Sequence, residues 1–121
     1  MRPRHYILKN KNPEPAELLE WAKWFETGEH RRVRQTIISG KYNVSTVFLG
    51  LDHSYTGPPA IFETMVFGNN KFDQYLRRYA TWEEAEQGHI DILKMLLEYE
   101  VKKENFDSAI EINNEILRSN S

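Results

Sequence analysis

Val44-Ser45-Thr46-Val47-Phe48-Leu49-Gly50-Leu51-Asp52-His53 and Ala60-Ile61-Phe62-Glu63-Thr64-Met65-Val66-Phe67-Gly68 decide how this chain folds. Both stretches are β-branched and aromatic on both faces, the composition of strands inside a sheet. The loop between them is short and carries Tyr55 and two prolines. A connection of that length favours antiparallel pairing of the two strands.

Upstream, residues 32–38 alternate weakly and read as an exposed strand, with Val33, Gln35 and Ile37 on one face and Arg34, Thr36 and Ile38 on the other. Ser39-Gly40-Lys41 is a hairpin turn signal. Downstream, Gly68-Asn69-Asn70 marks another turn, and residues 74–80 read as a further strand with Tyr75, Arg77 and Tyr79 on one side. His5-Tyr6-Ile7-Leu8 is a short strand candidate. Pro13 and Pro15 then exclude a ladder or a helix interior. Pro15 is placed to open a helix over residues 15–27, whose face is Leu18, Trp21, Ala22 and Phe25, flanked by Leu19 and Trp24 and stopped at Gly28.

Thr81-Trp82-Glu83-Glu84 is a capping box, in which Thr81 accepts the amide of Glu84 and Glu84 reaches back to the amide of Thr81. Trp82, Ala85, His89, Leu93 and Leu96 recur at helical spacing, so the long helix spans about 82–99, with Gly88 allowing close approach to the sheet. Residues 100–105 are charged and polar. Phe106, Ile110, Asn113 and Leu117 form a second stripe, joined by Ala109 and Ile116. That segment either continues the long helix or forms a separate one, and it should dock on the domain or on another subunit. The expected fold is α+β: an antiparallel sheet of about four to five strands packed by helices at about 15–27 and 82–99. Residues 1–100 are one domain, and 101–121 are a helical extension suited to building a homo-oligomer.

The chain has 121 residues, 40% hydrophobic and 28% charged, with a formal net charge of -2, which is ordinary for a soluble globular domain. Mixed charge gives no strong signal for nucleic acid or an anionic membrane. The absence of cysteine excludes disulfides, thiol nucleophiles and thiolate zinc sites. No apolar run approaches the roughly 20 residues of a membrane span, and no signal peptide follows the basic Met1-Arg2-Pro3-Arg4. The protein is expected in the cytoplasm, without a membrane partner and without a cofactor. Aromatics make 12% of the chain, as core filling or as a binding surface.

Chemistry has a few candidate positions. Glu63 shares a strand face with Ile61, Met65 and Phe67, so it is either paired or solvated structurally, or it is a functional carboxylate. His89 lies on the core stripe of the long helix, either as a satisfied core residue or as a site residue. Asp52 and His53 sit where a strand opens into a loop, and Asp52, His53, Glu63 and His89 together are the one set that would suit an N/O-ligated metal, although no metal-binding spacing supports it. Arg31, Arg32, Arg34, Arg77 and Arg78, with Tyr75 and Tyr79 between, are either a solvated face or an anion-binding one. The ligand-binding candidates are Asp52, His53, Tyr55, Glu63, Tyr79, Trp82 and His89.

Trp24-Phe25-Glu26-Thr27, residues 45–53, Phe62-Glu63-Thr64-Met65-Val66-Phe67-Gly68 and residues 79–89 resemble the signature of a family of small phage- and prophage-encoded proteins of unassigned function. The resemblance runs from about residue 5 to about residue 97. Members often carry a glycine-rich loop before the prolines, where this chain has Ser54-Tyr55-Thr56-Gly57. The resemblance implies a phage accessory protein acting in the bacterial host cytoplasm and supplies no reaction. Three functions are weighed: binding a host protein or a small anionic ligand such as a signalling nucleotide, in counter-defence; a small metal-assisted hydrolase using Asp52, His53, Glu63 and His89; and a structural or assembly role.

Overall fold

A computed structural model describes residues 2–27 and 31–119; Gly28, the expected helix stop, lies outside the described residues. In chain order the elements are β1 (Tyr6–Lys9), β2 (Asn12–Pro15), α1 (Leu18–Glu26), β3 (Arg32–Ile38), β4 (Tyr42–Phe48), β5 (Phe62–Gly68), β6 (Leu76–Tyr79), α2 (Trp82–Lys102) and α3 (Phe106–Ser119). The fold is α+β. Strands β3-β4-β5-β6 form an antiparallel meander, and β1-β2 form a separate hairpin.

The two opening stretches become β4 and β5, paired in register from Tyr42↔Gly68 to Phe48↔Phe62. They are central in strand order but covered on one face only. Tyr42, Val44, Thr46 and Phe48 alternate with half-exposed Asn43, Ser45 and Val47, and Phe62, Thr64 and Val66 alternate with half-exposed Glu63 and Met65. Both large helices lie on the first face, so the apolar residues of the second stay in partial contact with water. Residues 32–38 are likewise half-covered, since Thr36 and Ile38 are buried.

The hairpin corrects the expectation drawn from the prolines. Pro13 faces Leu8 and Pro15 faces Tyr6 in a real ladder. Alternate residues of a strand direct their N–H groups to the same edge, so two prolines two apart both fit an edge strand. Pro15 therefore ends β2, and α1 starts three residues later, after Glu17, which makes no side-chain cap. Helix α1 closes one end of the sheet. Its Trp24 and Phe25 rings pack on Phe48, and Trp21 Nε1 donates to Gly50 O at 3.1 Å. Gly50 has φ +73° and leaves room for Phe25, whose ring carbon would stand 2.3 Å from a Cβ there.

The Thr81 cap forms as expected at the amide of Glu84, 3.1 Å away, but the Glu84 carboxylate takes the Thr81 hydroxyl rather than its amide. Helix α2 runs to Lys102, and α3 is separate. With no glycine available, Glu104 takes the left-handed conformation at φ 61°, while Asn105 N donates to Glu100 O and Glu104 N to Val101 O. That is a Schellman stop. Glu100 is itself fully buried, ion-paired to Lys41 at 2.5 Å and accepting from the Tyr42 hydroxyl at 3.2 Å, which ties the end of α2 to the β3-β4 turn. Burial first, with the Glu100 carboxylate adding to it against an opposing bond from Asn70, pushes the Tyr42 phenol up to about 12. Among the described residues no helix is long and apolar enough to cross a membrane.

Candidate functional site

The core is divided by a polar band. Along β4, Tyr42 and Val44 belong to one apolar cluster and Phe48 to another, with Thr46 between them; along β5, Thr64 separates Val66 from Phe62 in the same way. His89 of α2 covers this band. Its Nδ1 lies 2.6 Å from Thr46 Oγ1 and its Nε2 lies 2.8 Å from Thr36 Oγ1. Thr46 continues to Thr64 at 2.5 Å, and Thr64 meets the Tyr79 hydroxyl at 3.2 Å. Hydroxyls donate and accept, so a neutral ring is satisfied at both nitrogens whichever one carries the proton. Burial, aided by the charge of Arg34, lowers the His89 pKa to about 4. His89 is therefore a neutral, fully buried core residue, and the band acts as a fastener between helix and sheet.

Glu63 does not join it. It points to the opposite face from Phe62 and Thr64, half-exposed, and accepts from Arg78 Nε at 3.1 Å on the neighbouring strand. Glu63 and His89, which the set suited to a metal would bring together, are kept apart by the strand period of two: residues one apart in β5 stand on opposite sides of the sheet. Asp52 is buried and serves its own loop. Its carboxylate accepts from Arg2 Nε at 2.6 Å, Ser54 N at 2.9 Å and Ala60 N at 3.1 Å, while Arg2 also donates to Gly57 O at 2.7 Å. Burial works to raise its pKa, but those bonds outweigh it and hold the group at about 2. His53 is exposed, and Tyr55 is 87% exposed at the loop surface. The Asp52-His53 pair, Glu63 and His89 thus stand in three separate places, and among the described residues no group of three or more His, Asp or Glu could hold a metal. Tyr79 is half-buried against Gly88.

Among the described residues, Trp82 lines a cleft. Leu8, Asn10, Lys11, Trp24 and Trp82 surround a volume of about 390 Å³ between the β1-β2 turn, α1 and the start of α2. Lys11 Nζ lies 5.2 Å from the centre of the Trp82 ring, a cation–π distance. The Trp82 indole N–H is buried without a hydrogen-bond partner. The turn itself is Asn10-Lys11 with φ 51° and 71°, the double left-handed conformation of a type I′ hairpin. Asparagine accepts that conformation readily. Lysine does so at about 1–2 kcal/mol, which makes its placement over the indole notable.

Sequence reading missed four of these five residues. Trp24 counted as a flank of the α1 stripe and as part of a resemblance block, and Leu8 as a strand residue. Asn10 and Lys11 disappeared into a segment read as irregular because of the prolines. The available signal was Asn10-Lys11 between two four-residue segments, a two-residue hairpin spacing. Compared with protein-family models, curated proteins and solved structures, the chain matches none.

Proposed function

We propose that this chain is a phage-type accessory protein that works by binding, and that the Trp24–Trp82 cleft takes a small ligand with a flat π-face and an anionic group, of the nucleoside-phosphate class. The observation that carries this reading is the Lys11 ammonium held over the Trp82 ring in a cleft walled by a second tryptophan. The volume falls at the lower end of the range of small-molecule sites, which suits one nucleotide rather than a long polymer. Indole faces stack on bases with little regard to sequence, at about 1–3 kcal/mol per base. Lys11 supplies the opposite charge for a phosphate. Reaction chemistry has less support, because the acid, base and imidazole candidates occupy three separate places.

A thermal-shift series with mononucleotides, cyclic dinucleotides and aromatic carboxylates tests the proposal. At about ten times the Kd a bound ligand raises the melting temperature by about 5 °C. Lys11→Gln should abolish the shift for the anionic ligands while leaving the unliganded melt within a degree or two. No shift with any member of the series rejects the cleft as a site for this class.

A further inference from the structure

Helix α3 is apolar on two sides. Ala109, Ile112 and Ile116 are buried against the rest of the domain. Phe106, Ile110, Asn113 and Leu117, of the segment expected to dock on the domain or on another subunit, face outward, with Phe106 56%, Ile110 60% and Leu117 58% exposed, while Ala109 and Ile116, which join that stripe, pack inward. Its spacing is four, three, four, the repeat of a coiled-coil seam. Leu97 and Val101 of α2 extend it, and the two helices enclose an apolar groove of about 480 Å³ along it. Proteins that remain monomers seldom leave large apolar residues contiguous over more than a few hundred Å².

We infer that this seam binds a second copy of the chain, α3 against α3, antiparallel about a two-fold axis. Two features select a second copy over an unrelated partner. The polar residue of the seam is Asn113, whose amide both donates and accepts and is therefore complementary to itself. An antiparallel two-fold sets Phe106 against the partner's Leu117 and brings Asn113 within a turn of its own counterpart, where an isologous contact can satisfy it. Opposite a purely apolar partner the same amide would be left unsatisfied. The second feature is charge. Asp107 stands at the start of the seam, and Arg118, which also pairs with Glu115 of its own helix at 2.8 Å, at its end. Antiparallel apposition pairs acid with base at both ends and opposes the helix dipoles favourably, whereas parallel apposition sets like against like. This interface is distinct from the Trp24–Trp82 cleft and independent of it.

Sedimentation equilibrium of the full chain from about 1 µM to about 1 mM, which covers association free energies of about 4 to 8 kcal/mol, tests the inference. The mass should rise from 14.4 kDa toward twice that value. Ile110→Asp should hold it at the single-chain mass throughout; the residue is exposed, so its circular dichroism and melting should match the parent. Asp107→Arg alone should weaken association at least tenfold, and Asp107→Arg with Arg118→Asp should restore it. A single-chain mass at every concentration overturns the inference and leaves the seam to a different partner. A dimer indifferent to Ile110→Asp also overturns it, and failure of the double charge reversal to restore association overturns the antiparallel arrangement.

Discussion

The Tyr79 ring occupies the space that a side chain on Gly88 would need: a Cβ built there would stand 2.2 Å from two of its ring carbons. Helix α2 can lie this close to β6 only because position 88 is glycine. Alanine is the better helix former by about 1 kcal/mol, but here overpacking outweighs that gain. Gly88→Ala is expected to destabilise the protein by about 1–2 kcal/mol net. Tyr79→Ala in the same chain should recover part of the loss, giving a coupling of at least 1 kcal/mol in a urea-denaturation double-mutant cycle. A stabilised Gly88→Ala protein would show that the ring does not lie there.

His89 gives the fold an acid-side sensitivity of defined sign. Its folded pKa of about 4 lies below the ordinary histidine value of 6.5. Below pH 6.5 the unfolded chain takes up a proton that the folded chain refuses, so stability falls as pH drops from about 6.5 to about 4. The loss approaches about 3 kcal/mol. Urea midpoints across this window should fall steadily for the parent. His89→Gln should be less stable at pH 7 because its amide cannot reach both Thr36 and Thr46, yet its stability should be nearly flat over the same window.

Asp52 acts lower on the pH scale. Its folded pKa, about 2, lies below the ordinary aspartate value of 3.8, so its contribution is present above that value and disappears as pH falls toward 2. Asp52→Asn retains the acceptor oxygen for the Ser54 and Ala60 amides but loses the charge facing Arg2. It is expected to lower stability at pH 7 by about 1–2 kcal/mol. Hydrogen exchange should quicken at the amides of Ser54 and Ala60, with the β4-β5 ladder little changed. Arg2→Ala should reproduce the loop effect, since Arg2 clasps both Asp52 and Gly57.

The elements governed by period and capping were legible in the sequence. The four-strand meander, the Thr81 cap, the core stripe through His89 and the close approach at Gly88 follow from spacing alone. What was not legible depended on which side of an element finds a neighbour. Glu63 and His89 each stood out as a polar residue among apolar ones, but only the stacking of α2 and α3 on one face of the sheet decides that they lie on opposite sides. On α3 the stripe of Phe106, Ile110, Asn113 and Leu117 and its flank of Ala109 and Ile116 both satisfied helical spacing, and it is the Ala109–Ile116 side, with Ile112, that packs. The cleft was hidden for a different reason: its walls come from three segments far apart in the chain, and its lysine sits in a turn conformation that composition disfavours.

Binding in the cleft is tested most directly by a chemical-shift titration of the three indole N–H signals, of Trp21, Trp24 and Trp82, with a mononucleotide such as AMP. Trp24 and Trp82 line the cleft, while the Trp21 N–H is held by Gly50 O outside it. The Trp24 and Trp82 signals should move together along one saturating curve, the Trp21 signal should stay in place, and Lys11→Gln should shift the curve to at least tenfold higher concentration. Stationary Trp24 and Trp82 signals up to millimolar ligand, or movement of Trp21 alone, would contradict a binding role for this cleft.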